Sequence, residues 1–284
     1  MDRIRKPEWL NKKLDYESMR EIGNMLRELN LHSVCEGARC PNMGECFRNR
    51  TATFMILGDI CTRNCRFCAI PSGKVSAVDS NEPKNLAIAA KKLNLKHVVV
   101  TSVTRDDLED GGARQFAAVI HELRNSIPNV SVEVLTPDFN GNHHALDTVI
   151  EAKPEIFNHN VETIPSLYDE VRPMASYRQS LDVIKYVKTR APQIITKSGL
   201  MLGLGETEEQ VKEVINDLHN HKCDMLTIGQ YLPPSFNHAL LKEYVHPEVF
   251  ESYKKYALSL GFRYVASGPY VRSSYYAAES LTQL

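Results

Sequence analysis

Two groups of cysteines carry the chemistry of this chain: Cys35, Cys40 and Cys46 at spacing Cys-x4-Cys-x5-Cys, and Cys61, Cys65 and Cys68 at Cys-x3-Cys-x2-Cys. Three thiolates can hold three irons of a cubic iron-sulfur cluster and leave the fourth iron open to something that reacts. Two triplets therefore predict two clusters with two different jobs. The plain alternative is a zinc-scaffolded binding protein, but structural zinc usually takes four ligands in paired knuckles, and neither triplet supplies a fourth. Six of the seven cysteines lie between positions 35 and 68, unlike the dispersed pairs of a secreted disulfide framework. A reducing, cytoplasmic setting is expected. Cys223 stands apart from both triplets and reads as a small buried hydrophobe.

Clusters need a frame that brings their ligands together. From about residue 53 onward, short β-branched runs alternate with amphipathic helical stretches, the pattern of strand-helix units building a parallel sheet. The expected strands are Thr53 to Leu57, His97 to Thr101, Ser131 to Leu135, Glu155 to Asn158, Ile194 to Lys197 and Met225 to Ile228. Between the last two, Thr207 and Gln210 fit a capping box, and Val211, Val214, Ile215 and Leu218 recur on one helical face. Similar stripes run through Phe116, Ile120 and Leu123 and through Leu181, Ile184 and Val187, all expected core. Residues 1–52 read as an N-terminal extension carrying the first triplet, 53–261 as the barrel, and 262–284 as a C-terminal segment with a possible strand at Arg263 to Ala266. His97, His143, His144, His219 and His221 fall at element ends and are assigned to no metal.

Composition narrows the function. The 284 residues hold 34 Lys and Arg against 35 Asp and Glu, a formal charge of -1, so the bulk positive field of a nucleic-acid binder is missing. The first seven residues lack the apolar core of a signal peptide, and no stretch approaches the roughly 18 apolar residues of a membrane span. Neither nucleic acid nor membrane is expected as a partner.

The second triplet in context, Asp59-Ile60-Cys61-Thr62-Arg63-Asn64-Cys65-Arg66-Phe67-Cys68, directly follows a first strand and resembles the signature of the radical S-adenosylmethionine superfamily. The resemblance implies an α/β fold, a partial (β/α)6 TIM-type barrel, with the triplet on the C-terminal rim where such barrels build active sites. It also implies that the unique iron binds S-adenosylmethionine, whose reductive cleavage yields a 5′-deoxyadenosyl radical that abstracts hydrogen. Gly199-Leu200-Met201-Leu202-Gly203-Leu204-Gly205-Glu206 is similar to the superfamily's Gly-x-Ile-x-Gly-x-x-Glu segment, with Met201 in place of isoleucine; its glycines let backbone approach the adenine. Polar groups expected on the same rim are Thr101, Ser102, Arg105 and Asp106 after the second strand, Asn158, Asn160 and Glu162 after the fourth, and Lys197 and Ser198 ending the fifth. Among these, Ser102, Asn160, Glu162 and Lys197 are the expected cofactor contacts.

Read with its neighbours, Ser33-Val34-Cys35-Glu36-Gly37-Ala38-Arg39-Cys40-Pro41-Asn42-Met43-Gly44-Glu45-Cys46, the first triplet, together with the radical triplet and the late Arg272-Ser273-Ser274-Tyr275, closely resembles the lipoyl synthase family. The likeness continues through Val100 to Leu108, Val134 to Phe139, Asn158 to Thr163 and Thr196 to Met201, and so covers nearly the whole chain. It implies that Cys35, Cys40 and Cys46 hold an auxiliary 4Fe-4S cluster whose fourth iron is ligated by Ser274, with Ser273 the less favoured neighbour. It implies a radical sulfurtransferase that spends this cluster to insert two sulfurs at C6 and C8 of an octanoyl chain attached to a carrier lysine. Those saturated carbons offer nothing to a side-chain acid, base or nucleophile, hence the radical cofactor. The implied partners are octanoylated lipoyl-carrier domains, the oxo-acid dehydrogenase E2 and the glycine-cleavage H protein, with a reductant such as flavodoxin or ferredoxin. The competing readings are biotin synthase-like and methylthiotransferase-like sulfur inserters. Two departures, Pro233 with Phe236 and Met174, remove charge that the family often carries near the substrate side.

Overall fold

The computed structural model describes residues 5–11, 16–38, 40–48, 53–275 and 277. Arg39 of the first triplet's segment and parts of the expected extension and tail lie outside these. Among the described residues one eight-stranded sheet runs in the order β1 (His32–Ser33), β2 (Thr53–Ile56), β3 (His97–Ser102), β4 (Ser131–Leu135), β5 (Ile156–Asn158), β6 (Ile195–Leu202), β7 (Met225–Gln230) and β8 (Tyr264–Gly268). All neighbours from β2 to β8 pair in parallel, whereas the short β1 runs antiparallel to β2. The six expected units are β2 to β7. The possible strand near the C-terminus is real and adds a seventh parallel member, β8. Because β8 does not pair with β1 or β2, the barrel is a partial one with an open seam.

Helices α1 (Tyr16–Glu28), α2 (Val34–Gly37) and α3 (Met43–Arg48) precede the parallel strands. Outside the sheet follow α4 (Glu82–Lys92), α5 (Ala113–Ser126), α6 (His143–Glu151), α7 (Tyr168–Val171), α8 (Tyr177–Arg190), α9 (Glu208–Asn220) and α10 (Pro247–Leu260). The stripes read from sequence are the faces these helices bury: Val211, Val214, Ile215 and Leu218 of α9 all lie in the core, as do Phe116, Ile120 and Leu123 of α5. Each such side chain contributes about 1.5–3 kcal/mol on burial. The capping box of α9 is present, with Thr207 Oγ1 accepting from the Gln210 N–H and Gln210 Oε1 from the Thr207 N–H at 2.9 Å. Cys223 is buried with its thiol toward the Met225 carbonyl. No described helix is long and apolar enough to cross a membrane.

The fifth expected strand ends too early. β6 continues past Lys197 to Leu202, pairing with β7 as far as Gln230. Strand side chains alternate between faces, so Lys197 shares the inner face with Gly199 and Met201 but sits a layer deeper. There its ammonium meets Glu133 Oε1 at 2.8 Å, and the Asn158 amide donates to the same oxygen at 3.3 Å. This buried polar layer fills the barrel below the rim, as side-chain layers do in closed barrels.

Candidate active site

A cavity of about 510 Å³ opens above that layer, and residues of both triplets line it: Cys35 and Cys40 from the first, Cys61, Cys65 and Cys68 from the second. Its size falls within the roughly 300–1,000 Å³ of ligand pockets. Cys46, on α3, is not among the lining residues.

The first triplet is spread over two short helices and the loop between them, which carries Cys40. Ser33 Oγ caps α2 by accepting from the Glu36 N–H at 3.1 Å, which sets Cys35 in the first turn. The Cys40 N–H returns to the Cys35 carbonyl at 2.9 Å, and the Cys46 N–H reaches the Asn42 carbonyl at 2.9 Å. Burial pushes the Cys35 thiol up to about 12, so it keeps its proton until a metal ion displaces it on ligation.

The second triplet sits on the loop after β2, as the spacing predicts. The Thr104 and Arg63 amides donate to Cys61 Sγ at 3.3 and 3.4 Å. Such bonds to sulfur tune cluster potentials. Arg63 is the anchor of this loop: its guanidinium holds both carboxylate oxygens of Asp106 at 2.7 and 2.9 Å, both of Asp138 at 3.0 and 2.7 Å, and Asn140 Oδ1 at 2.7 Å. Asp138 is thereby held well below the usual carboxylate range, although burial alone would raise it. Burial lifts Cys68 to about 12 and raises Cys65, the latter offset in part by the Arg172 guanidinium.

Of the four expected cofactor contacts, the fold brings three to the cavity: Ser102, Asn160 and Glu162. Lys197 is not among the lining residues, because Glu133 holds it in the layer beneath. Arg105 is turned to Asp107, at 2.9 Å, and Asp106 to Arg63, so neither is available. Thr101 lines the wall and donates to the Leu135 carbonyl at 2.9 Å. Glu162 adopts a left-handed backbone, φ 66°, held by two bonds to β6: its N–H to the Gly199 carbonyl and its carbonyl from the Met201 N–H, both 2.9 Å. Strain of this kind persists only where surrounding contacts enforce it. Its carboxyl accepts from Asn160 Nδ2 at 3.0 Å, and burial raises its pKa.

The glycine segment is explained by two facts. A Cβ on Gly199 would collide with Thr227 Oγ1 and press on Asn160 Oδ1 at 3.0 Å. Beyond β6, Gly203 and Gly205 take positive φ, and Glu206 closes the turn by accepting from the Gly203 N–H and, at 2.9 Å, the Leu204 N–H.

Sequence reasoning missed several wall residues. Arg172 is buried, donates to the Asn160 and Val161 carbonyls at 3.2 Å, and lies near Cys65 and Glu162. His159 is kept neutral by burial, its pKa lowered to about 4; with Nδ1 on the Thr136 carbonyl at 2.9 Å, Nε2 is an acceptor at the wall. Only the charged residue inside the Cys61 loop, Arg63, offered a sequence signal.

The donor set suits the cofactors expected from the cysteine pattern. Ser102 Oγ, Thr136 Oγ1, His159 Nε2 and Asn160 Oδ1 are buried along the wall without a protein partner, and such groups cost stability unless a ligand meets them. Among the described residues no three His, Cys, Asp or Glu side chains close on a single ion; a cubic cluster does not ask this, because each thiolate meets a different iron.

The C-terminal segment returns from β8 into the open seam. Asn42 Nδ2 donates to the Tyr270 carbonyl at 2.7 Å and Tyr275 OH to Glu45 Oε1 at 3.1 Å, which ties the segment to the loop and helix of the first triplet. Ser273 and Ser274 both line the cavity.

The sequence profile of the Radical SAM superfamily matches residues 55–218. A lipoyl synthase of Caldanaerobacter subterraneus subsp. tengcongensis is 57% identical over 279 residues, covering 98% of each chain. One from Alkaliphilus metalliredigens is 55% identical, covering 98% of this chain and 96% of its own. Among solved structures, methylornithine synthase aligns with TM-score 0.57 at 13% identity over 89% of this chain and 85% of its own. Streptococcus suis SuiB bound to S-adenosylmethionine aligns at 0.61 and 13% over 88% and 60%. At such identities the structures speak for the fold alone, while the relatives above half identity speak for the family. The chain belongs to the lipoyl synthase family within the radical SAM superfamily.

Proposed function

We propose that this chain inserts two sulfur atoms at C6 and C8 of an octanoyl group carried on a protein lysine. The observation that carries this reading is that cysteines of both triplets, Cys35 and Cys40 with Cys61, Cys65 and Cys68, line one cavity whose remaining wall is largely apolar. When bound, the two clusters and S-adenosylmethionine supply the electron, the hydrogen-abstracting radical and the sulfur, none of which side chains can provide.

The chain's own residues hold and exclude. Cys61, Cys65 and Cys68 ligate the radical-generating cluster, and Ser102, Asn160 and Glu162 offer polar contacts to S-adenosylmethionine. Lys197 acts beneath them as the partner of Glu133, supporting the floor of the site. Cys35, Cys40 and Cys46 ligate the auxiliary cluster with Ser274 as fourth ligand, a hard oxygen among soft sulfurs and so the corner easiest to open. Val34, Met55, Ile70, Val103, Leu135 and Leu200 supply the apolar wall along which a saturated acyl chain lies out of water. The described parts of residues 1–52 and the segment after β8 serve as two lips at the seam of the barrel. Lipoyl-carrier domains of the E2 or H-protein type bring the substrate, and a flavodoxin or ferredoxin brings electrons, in the cytoplasm. Met174, half exposed, and Phe236, 80% exposed, present apolar surface where the carrier arrives.

Anaerobic incubation with reductant, S-adenosylmethionine and an octanoyl-lysyl peptide tests the reading by mass spectrometry. Gain of two sulfurs is expected, with loss of two hydrogens once the dithiol product is oxidised in air to the disulfide. Unchanged peptide beside abundant 5′-deoxyadenosine would overturn it.

A further inference from the structure

Ser273 and Ser274 are adjacent in the chain yet face different partners. Ser273 Oγ accepts from Asn160 Nδ2 at 2.6 Å, beside Glu162. Ser274 Oγ instead accepts from the Thr53 hydroxyl at 2.7 Å. Thr53 opens β2, is 4% exposed and lines the cavity. Cys35 of the first triplet lines the same cavity. One threonine thus holds the hydroxyl that the far end of the chain brings to the cavity Cys35 lines.

The arrangement resists exchange of the two serines. The Tyr275 N–H closes a turn onto the Arg272 carbonyl at 3.0 Å, and the Val271 carbonyl packs so closely on Gly229 that a Cβ there would overlap it. With Tyr270 and Tyr275 held by Asn42 and Glu45, rotating the segment to bring Ser273 toward Cys35 would break all of these contacts. A serine oxygen on iron is an alkoxide and can only accept, so its neighbour must donate, and a hydrogen bond to a charged oxygen is about twice as strong as a neutral one.

We propose that Thr53 is a positioning residue that designates Ser274, rather than Ser273, as the oxygen ligand of the first triplet's cluster and holds that oxygen in place. This rests on the reading of Ser274 as a ligand, and the test separates the two.

The full chain, anaerobically loaded with iron and sulfide and saturated with S-adenosylmethionine in the absence of reductant, is exposed to a colorimetric iron(II) chelator. The rate of loss of the first iron is followed, with the EPR signal of a three-iron cluster after mild oxidation as a second readout. Ser274→Ala is expected to lose that iron fast. Thr53→Val is expected to accelerate its loss about tenfold or more, the equivalent of one hydrogen bond to a charged group. Thr53→Ser, which keeps the hydroxyl, restores the wild-type rate, and Thr53→Val with Ser274→Ala is no faster than Ser274→Ala alone. A wild-type rate in Thr53→Val beside a fast Ser274→Ala overturns the role of Thr53 and leaves the ligand reading intact. A wild-type rate in Ser274→Ala removes both. If Thr53→Ser is as fast as Thr53→Val, methyl packing is responsible and the proposal fails. Should Thr53→Val not fold, Thr53→Ala repeats the comparison with less bulk against the same partners.

Discussion

Arg63 is the residue whose removal tests the physical argument most directly. Methionine in its place keeps the unbranched apolar stem and removes five hydrogen bonds, two to Asp106, two to Asp138 and one to Asn140. The Asp106 side chain is 24% exposed, and that half of the interaction contributes at most about 1 kcal/mol. The Asp138 side chain is fully buried, and breaking a buried pair from one side costs roughly 3–5 kcal/mol. Asp138 keeps the Gln179 amide at 2.8 Å and the Asn140 N–H at 3.1 Å, which places the expected loss for Arg63→Met near the lower end, about 3 kcal/mol. At about 2–4 °C per kcal/mol for a chain of this class, the melting temperature falls by roughly 6–12 °C. The assay is a thermal scan of anaerobic protein together with iron content per chain, because the same loop carries Cys61 and Cys65.

The acid limb supplies a second, independent reading of Asp138. A carboxylate whose folded pKa is depressed stabilises the fold above its unfolded pKa, near 4, and that contribution is lost as pH falls toward the folded value. Wild type therefore loses more stability between about pH 4 and pH 2 than Arg63→Met does. If Arg63→Met melts within about 1 °C of wild type with full iron, the loop is held by something else and the argument fails.

Other expectations follow from the same geometry. Glu133→Leu strands the Lys197 ammonium in the barrel and costs about 3–5 kcal/mol, whereas adding Lys197→Met recovers most of it; urea titration of the single and double variants measures the non-additivity. Gly199→Ala drives a methyl into Thr227 and Asn160, with a cost of about 1–3 kcal/mol and weaker S-adenosylmethionine binding by calorimetry. Ser274→Cys, which replaces a hard ligand with a soft one, should resist chelation better than wild type while product formation falls and 5′-deoxyadenosine still accumulates; normal turnover would count against an oxygen ligand as the weak corner.

Much of this protein was readable before any fold was in view. The triplet spacings, the alternation of strands and helices, the stripe of α9 and its capping box are all patterns within a few residues, and local periodicity is what sequence displays. Ser102, Asn160 and Glu162 line the cavity because they lie at or just beyond strand ends in a parallel barrel, where the rim must be. Tertiary structure alone decided the rest. Local pattern ends the strand at Lys197 and so sets it on the rim, whereas the pairing of β6 with β7 out to Gln230 makes it interior. The grip of Arg63 on Asp138 spans 75 positions, and the bond from Thr53 to Ser274 spans 221. Sequence could name two candidate serines, but which one meets the first triplet depends on the turn at Arg272 and on how the segment fills the seam beside β2. Partners that far apart along the chain leave no periodic trace, and they come together only once the backbone between them is folded.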